Sequence, residues 1–375
     1  VISRGWRTWA GFGLAAALLF GVMPMLLSDF RLSLLAKFLC LAIVAVGIGL
    51  AWGRGGMLVL GQGVFFGLGG YMMGMHLKIA DAQQRGSGLP DFMQIAGIPE
   101  LPWYWQPFTS PAFTVAAIVL GPAGVAAALG LGVFKRRVKG AYFAILSQAL
   151  AAAMAILLVG QTSLGGSNGL TSFRSFFGYA LNDPVNRRML YLITAATLLV
   201  AVAVARQLMS CRYGELLVAV RDNEERVRFL GYDPANVKVL AYTVAALFAS
   251  VAGALFTPIV GFIAPSQVGV LPSIAMLVGV AIGGRATLLG PVLGAVGVAW
   301  AQTLFSERFP SQWIYAQGLL FIVVVGFFPA GLAGLGALMR RRRAKPVGPQ
   351  NHVKDAVPQG RPDIAAEAAV LSGPS

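Results

Sequence analysis

The feature that most constrains this chain is its succession of long apolar runs, the first of them FGLAAALLFGVMPMLL. A helix needs roughly 20 consecutive apolar residues to cross a hydrocarbon core. By window length and breakers about ten stretches qualify, near 9–27, 32–52, 56–77, 112–134, 140–160, 188–209, 238–262, 270–284, 286–304 and 314–338. Of the 375 residues 57% are hydrophobic and 11% charged, where soluble domains carry about 25% charged residues. The expected fold is therefore all-α and polytopic, with about ten transmembrane helices. The first run has a basic start but no small-residue cleavage site, and another run follows almost at once, so it reads as a span and not as a removable signal peptide. Val1 in place of Met points to an unusual start codon or a trimmed terminus.

A formal charge of +15 suits nucleic acid, but the placement of the basic residues suits membrane topology better. With the N-terminus inside, Arg4, Arg7, Arg54, KRRVK at 135–139, Arg206, Arg212, Arg221, Arg226, Arg228, Lys238, Arg285, RRRRAK at 340–345, Lys354 and Arg361 all fall on the inner side, leaving 8 of the 29 Lys and Arg outside. That asymmetry predicts two cytoplasmic termini in a bacterial inner membrane protein, a periplasmic loop near 78–111 and a cytoplasmic segment near 210–238. Residues 1–338 form the expected membrane domain, and 339–375 a basic, then Pro-rich and disordered tail. Cys40 and Cys211, like His76 and His352, stand too far apart for a metal site, a disulfide framework or a catalytic cluster. No cofactor and no nucleic acid partner is expected.

The Gly-rich stretch GQGVFFGLGGYMMGM, residues 61–75, invites a phosphate-loop reading, but it lies inside a span and lacks the G-K-[ST] ending. Gly63, Gly67, Gly70 and Gly74 share one helix face, which lets a neighbouring helix approach closely. The alternative is a broken or thinned helix lining a substrate path, with Gln62 and Tyr71 supplying polar contacts. All 14 acidic residues fall at loops, span ends or the tail on this threading. Ion-coupled carriers use intramembrane carboxylates, although unwound backbone also coordinates sodium. The pattern favours a neutral or zwitterionic solute and argues against a secondary carrier. Gln62, Tyr71, Ser147, Gln148, Thr243 and Ser250 are the available polar side chains, each of which also reads as a helix–helix hydrogen bond.

The cytoplasmic segment SCRYGELLVAVRDNEERVRFLGYDPANVK, residues 210–238, has the grammar of a short helix. Asp222 caps and Glu225 sits three residues on, a capping-box variant. Glu224 and Glu225 are both spaced to pair with Arg228; Gly231 stops the helix and Pro234 bars its resumption. Val227, Phe229 and Leu230 leave apolar surface on a solvent-side element. One reading is a surface helix leaning on the bundle. The other is a coupling helix docked on a separate ATPase, since the chain has neither a nucleotide loop nor an ion relay; without such a partner it would be a passive channel.

Several motifs, in order, resemble the permease subunits of ABC importers of the branched-chain amino acid type. The family's A-x-R-x-N-E…G stretch is matched at Gly214, Ala219, Arg221, Asn223, Glu224, Gly231 and Lys238, and its R-x-x-G-x-Y-F-A element at Arg137, Gly140, Tyr142, Phe143 and Ala144. LGGSNGL resembles its Gly-Gly loop through Gly165, Gly166, Gly169 and Leu170, and GGRATLLGPVLGA its cytoplasmic turn. The resemblance spans roughly residues 32–338. Within the family, the Pro- and Trp-rich loop LPDFMQIAGIPELPWYWQPF and the aromatic WIY resemble the urea-importer branch, and that loop would shape the outer mouth or meet a solute-binding protein. Leu164 replaces the usual Thr, Ala286 a Gly of the turn, and Gln62 a His frequent in urea-type members.

The resemblance implies a non-enzymatic permease importing urea or a related small amide, with branched-chain amino acids as the alternative. It implies a homologous second permease, two ATP-binding subunits that use ATP and Mg, and a periplasmic solute-binding protein. Arg221, Asn223, Glu224, Glu225, Arg228 and Gly231 are the expected coupling residues; Gln62, Phe65, Phe66, Tyr71 and Asn168 are expected along the path.

Overall fold

The computed structural model describes residues 11–138, 140–285 and 287–308, with five further positions between 312 and 322. The chain divides into the units Val1–Leu335 and Gly336–Ser375, and every described residue belongs to the first. The last expected span, Ala286 and the basic tail lie outside the described residues, apart from those five positions.

Helices dominate. They are α1 (Gly11–Leu26), α2 (Asp29–Arg54), α3 (Gln62–Gln84), the short α4 (Asp91–Ile95), α5 (Pro111–Phe134), α6 (Gly140–Gly160), α7 (Pro184–Ser210), α8 (Arg212–Asp222), α9 (Glu224–Phe229), α10 (Pro234–Val260), α11 (Val270–Gly283) and α12 (Leu289–Arg308). Among the described residues seven helical segments are long and apolar enough to cross a membrane: α2, α5, α6, α7, α10, α11 with its lead-in from Pro265, and α12 as far as Ser306. Three starts share one device. Ser110, Asp183 and Asp233 precede Pro111, Pro184 and Pro234 at the first helical position, where the missing N–H costs nothing. Asp183 accepts a hydrogen bond from the Val185 N–H, and Asp233 one from the Ala235 N–H. Pro234, expected to bar helix resumption, thus opens α10.

The bundle is layered. In the most apolar window of α2 78% of residues are buried, against 28% in α5, α6 and α12, so α2 is a core element and the other three present broad apolar faces outward. α10 lies against α2, α3 and α5. At its crossing with α3, Gly253 meets the Phe66 backbone and Gly69 meets that of Ser250; no side chain fits between. α11 and α12 pack in the same backbone-to-backbone way through Gly279, Gly283 and Gly294.

The third expected span is corrected. Residues 55–61 leave the helix as irregular chain, and α3 begins only at Gln62 and runs on to Gln84. The expected 78–111 loop is correspondingly shorter, and Asp81 is helical and 2% exposed, not in a loop. α3 carries His76, Lys78 and Asp81 yet needs no lipid-compatible surface, because neighbours bury it on nearly every side. A second break mirrors the first. α10 ends at Gly261, and the chain returns through residues 261–269 before α11 starts at Val270. This return is held by β1 (Leu170–Thr171) pairing antiparallel with β4 (Phe262–Ile263), while β2 (Ser175–Phe176) and β3 (Tyr179–Ala180) form a small hairpin beside it.

Candidate functional site

Two places concentrate polar contacts: the seam where the two broken segments meet, and the α8–α9 elbow at the Arg54 end of the bundle.

At the seam, irregular chain and a helix N-terminus leave backbone N–H groups without helical partners. Serines supply them. The Leu60 N–H donates to Ser147 Oγ at 3.1 Å and the Gly63 N–H to Ser273 Oγ at 3.0 Å. Both hydroxyls donate onward to their own helical segments, Ser147 to the Ala144 carbonyl and Ser273 to that of Gly269. The start of α3 is thereby tied to α6 on one side and to the first turn of α11 on the other. The glycine face is confirmed, and what meets it is mostly the returning chain, with single side chains of two helices: Gly63 meets Val268 and Ser273 of α11, Gly67 meets Val268, Gly70 meets Ile263 and Thr257 of α10, and Gly74 meets Leu170, Phe173 and Ile263. The stripe accommodates the returning chain 261–269 and β1.

The expected path residues separate here. Gln62 is fully buried, and neither its Oε1 nor its Nε2 has a hydrogen-bond partner among the described residues. An orphaned buried amide is costly, which marks it as a place for a polar guest. Phe65 stands edge-on to Tyr242, with Phe143 and Phe134 against the same ring; Phe66 is edge-on to Phe256 and lines a cavity of about 510 Å3. The Tyr71 hydroxyl is also buried without a partner among the described residues. Gln62 and Tyr71 do not act together, however. Nine residues of helix place them on opposite faces, about 13 Å apart along the axis. Asn168 belongs elsewhere too, exposed in the 3-10 turn Gly166–Asn168 at the Asp29 end.

That turn leads into a latch at the Asp29 end that the spacing of the residues did not foretell. The buried Asp81 carboxylate accepts from the Arg174 N–H (2.9 Å), the Ser175 N–H (3.2 Å) and the Ser175 hydroxyl (2.6 Å), and Lys78 donates to the Ser172 carbonyl at 3.3 Å. The loop that follows the Gly165–Gly169 motif is so pinned to α3. Gly169, at φ 68°, sits against the Ile263 and Ala264 backbone; a side chain there meets both strain and a clash.

At the Arg54 end, the elbow between α8 and α9 differs in detail from its sequence grammar. Asn223, not Asp222, caps α9: its Oδ1 accepts from the Arg226 N–H at 3.0 Å. Asp222 instead ends α8 and pairs with Arg221 at 2.9 Å. Both residues are capping types, and α8 continuing through Asp222 decides between them. Glu224 takes both cations, Arg228 at 3.4 Å and Lys238 of α10 at 2.5 Å, while Glu225 makes no ion pair among the described residues. Gly231, at φ 88°, follows the helix end as expected.

Arg221, although exposed, reaches back to the bundle. Its Nη1 donates to the Gly53 carbonyl at 2.9 Å, and its aliphatic stem covers Gly56. Arg285, in the α11–α12 turn, stacks 4.7 Å from the centre of the Trp52 ring. The end of α2 is therefore gripped by α8 on one side and by the α11–α12 turn on the other. Val227, expected at the surface, is buried; Phe229 and Leu230 are 91% and 76% exposed, and Tyr232 joins them. Tyr213 ties α8 to α10 through the Val237 carbonyl (2.8 Å), and burial raises its hydroxyl's pKa.

Residues 30–328 match the family described as branched-chain amino acid transport system, permease component. The chain belongs to that family. Similar proteins include the high-affinity branched-chain amino acid transport system permease protein LivM of Salmonella typhimurium, 25% identical over 333 residues that cover 82% of this chain and 71% of the relative. The Escherichia coli K12 protein of the same name is 25% identical over 335 residues, with the same two shares. The autoinducer 2 import system permease protein LsrC of Salmonella choleraesuis is 30% identical over 155 residues, 39% of this chain and 44% of that protein. No solved structure matches. The chain is thus a multi-pass permease subunit of an ABC-type transporter and not an enzyme.

Proposed function

We propose that this permease carries a small neutral amide, urea or a close analogue, inward across the bacterial inner membrane. Ten spans with both termini cytoplasmic put the α8–α9 elbow on the ATPase side and the Asp81 latch on the periplasmic side. The partners are a homologous second permease, two ATP-binding subunits and a periplasmic solute-binding protein, and residues 339–375 form a cytoplasmic tail.

The observation that carries the ATP-driven part is the elbow itself, a short helix with exposed Phe229 and Leu230 and with ties to two bundle helices. Displacement of α9 by closing ATPases pulls Lys238, and with it α10, through Glu224. Through Arg221 it also moves the end of α2, which Arg285 links to α11. α10 and α11 both border the seam at Gln62. Asn223 and Gly231 set the ends of α9 and so hold the elbow's shape; Glu225 and Arg226 rim the exposed patch.

For the solute, Gln62 is the supporting observation, because a carboxamide with a free donor and a free acceptor complements another amide. Branched-chain amino acids are the second reading, favoured by the names of the LivM relatives. Uptake of labelled urea and labelled leucine at micromolar concentration, by cells holding the partner subunits with and without this chain, separates the two. Chain-dependent urea uptake supports the amide reading; chain-dependent leucine uptake alone overturns it and keeps the permease.

A further inference from the structure

Lys37 is a cation set within the bundle. It lies on α2 eight residues beyond Asp29, about 12 Å along the axis, and is half-buried. Among the described residues it takes part in no ion pair. A charge at such depth is costly unless something neutralises it.

Two cavities meet at this side chain. The shallower, of about 340 Å3, is bordered by Lys37, Gln302, Thr303 and Ser306. The deeper, of about 510 Å3, shares Lys37 and Gln302 but is otherwise lined mostly by apolar groups, among them Phe66, Phe256, Met276 and Val278. The Thr303 hydroxyl is spent on the Ala299 carbonyl at 3.0 Å, which leaves the ammonium of Lys37, the Gln302 amide and the Ser306 hydroxyl as donors. Leu271, on the rim, is 76% exposed, so among the described residues the deep cavity opens on the flank of the bundle, with Gly318 also on its lining. The arrangement is amphipathic: a cationic, donor-rich part on the side of Asp29 and a continuation toward the middle that is mostly apolar, with Gln267 its other polar side chain.

We propose that this groove between α2, α11 and α12 binds one anionic phospholipid, with its phosphate on Lys37, Gln302 and Ser306 and one acyl chain in the apolar cavity. A cationic pocket between transmembrane helices is the chemistry that selects anionic headgroups, and the deep cavity has the size of a site for a sizeable ligand. An acid on a neighbouring subunit would neutralise Lys37 but would leave the apolar cavity empty. The bound lipid braces α11, whose first turn holds Gly63 through Ser273.

The test is native mass spectrometry of the full chain, extracted in mild detergent with its co-expressed partner subunits. Phosphatidylglycerol, phosphatidylethanolamine or glycerol phosphate is added as probe. The expected result is one retained phosphatidylglycerol, preferred over phosphatidylethanolamine and not displaced by glycerol phosphate. Lys37→Met should weaken retention about five- to tenfold, the worth of one lysine near an anionic headgroup. Ala299→Phe, which fills the cavity and leaves the charge, should weaken it too. Equal retention by Lys37→Met, indifference to headgroup charge, or displacement by glycerol phosphate overturns the proposal. So does loss of a partner subunit from Lys37→Met with phosphatidylglycerol unchanged, which would make the groove a subunit interface.

Discussion

Charge reversal at Glu224 is the sharpest perturbation of the elbow. Its carboxylate holds Lys238 at 2.5 Å and Arg228 at 3.4 Å. The Arg228 contact, made between residues four apart on a helix with both side chains more than a third exposed, contributes about 0.3–0.5 kcal/mol. The Lys238 side chain is 14% exposed, so its charged hydrogen bond stands for more, about 1.5 kcal/mol after allowance for the partly solvated carboxylate. Glu224→Gln therefore releases about 2 kcal/mol of the attachment of α9 to α10, a shift of about 30-fold in the docked population. Glu224→Lys adds repulsion from two cations and brings the cost to about 3 kcal/mol, beyond 100-fold. The bundle core lies elsewhere and should fold normally. In proteoliposomes holding the complete transporter, the reversal should leave basal ATP hydrolysis intact while abolishing its stimulation by solute-loaded binding protein. The Gln variant should fall between. Wild-type stimulation and uptake by Glu224→Lys would refute the reasoning, because the ion pair that ties α9 to α10 would then be dispensable.

Other expectations follow from single contacts. Ser273→Ala leaves the Gly63 N–H buried without its acceptor and should destabilise the chain by about 1–3 kcal/mol, read as a lower midpoint in detergent thermal unfolding. Asp81→Asn weakens three hydrogen bonds to residues 174–175; faster limited proteolysis of the 170–181 loop is expected, with the spans still protected. Arg85 donates to both oxygens of Asp91 at 2.6 and 2.7 Å and holds its carboxyl below the usual carboxylate range. A depressed folded-state pKa means that this brace is fully present above about pH 4 and is lost as the pH falls through the lowered value. Amide exchange around 85–95 should accordingly rise only on strong acidification, and should already be raised at neutral pH in Asp91→Asn.

The spans were legible in the sequence because length and apolarity are what lipid demands, and the starts of α5, α7 and α10 were within a few residues of their expected positions. The breaks were less so. An apolar window cannot distinguish irregular chain from helix, and MLVLG at 57–61 passes as either; only the glycines at 55, 56, 61 and 63 hinted at interruption. The elbow was readable as a helix, but its cap was ambiguous between two adjacent capping residues until α8 fixed the register. Glu224 could be paired with Arg228 from spacing alone, whereas Lys238, fourteen residues away, required the fold. The same holds for Ser273 under Gly63 and Asp81 under Ser175, contacts 210 and 94 residues apart in the chain. Lys37 was visible only as one more outer basic residue, since depth in the bundle is a tertiary property.

The most direct test of the account measures uptake of labelled solute by cells carrying this chain and all its partners, with either a live ATP-binding subunit or one that binds but does not hydrolyse ATP. An ATP-driven permease predicts accumulation that requires both this chain and hydrolysis. Uptake that persists with the hydrolysis-dead subunit would contradict it and make the chain a passive path.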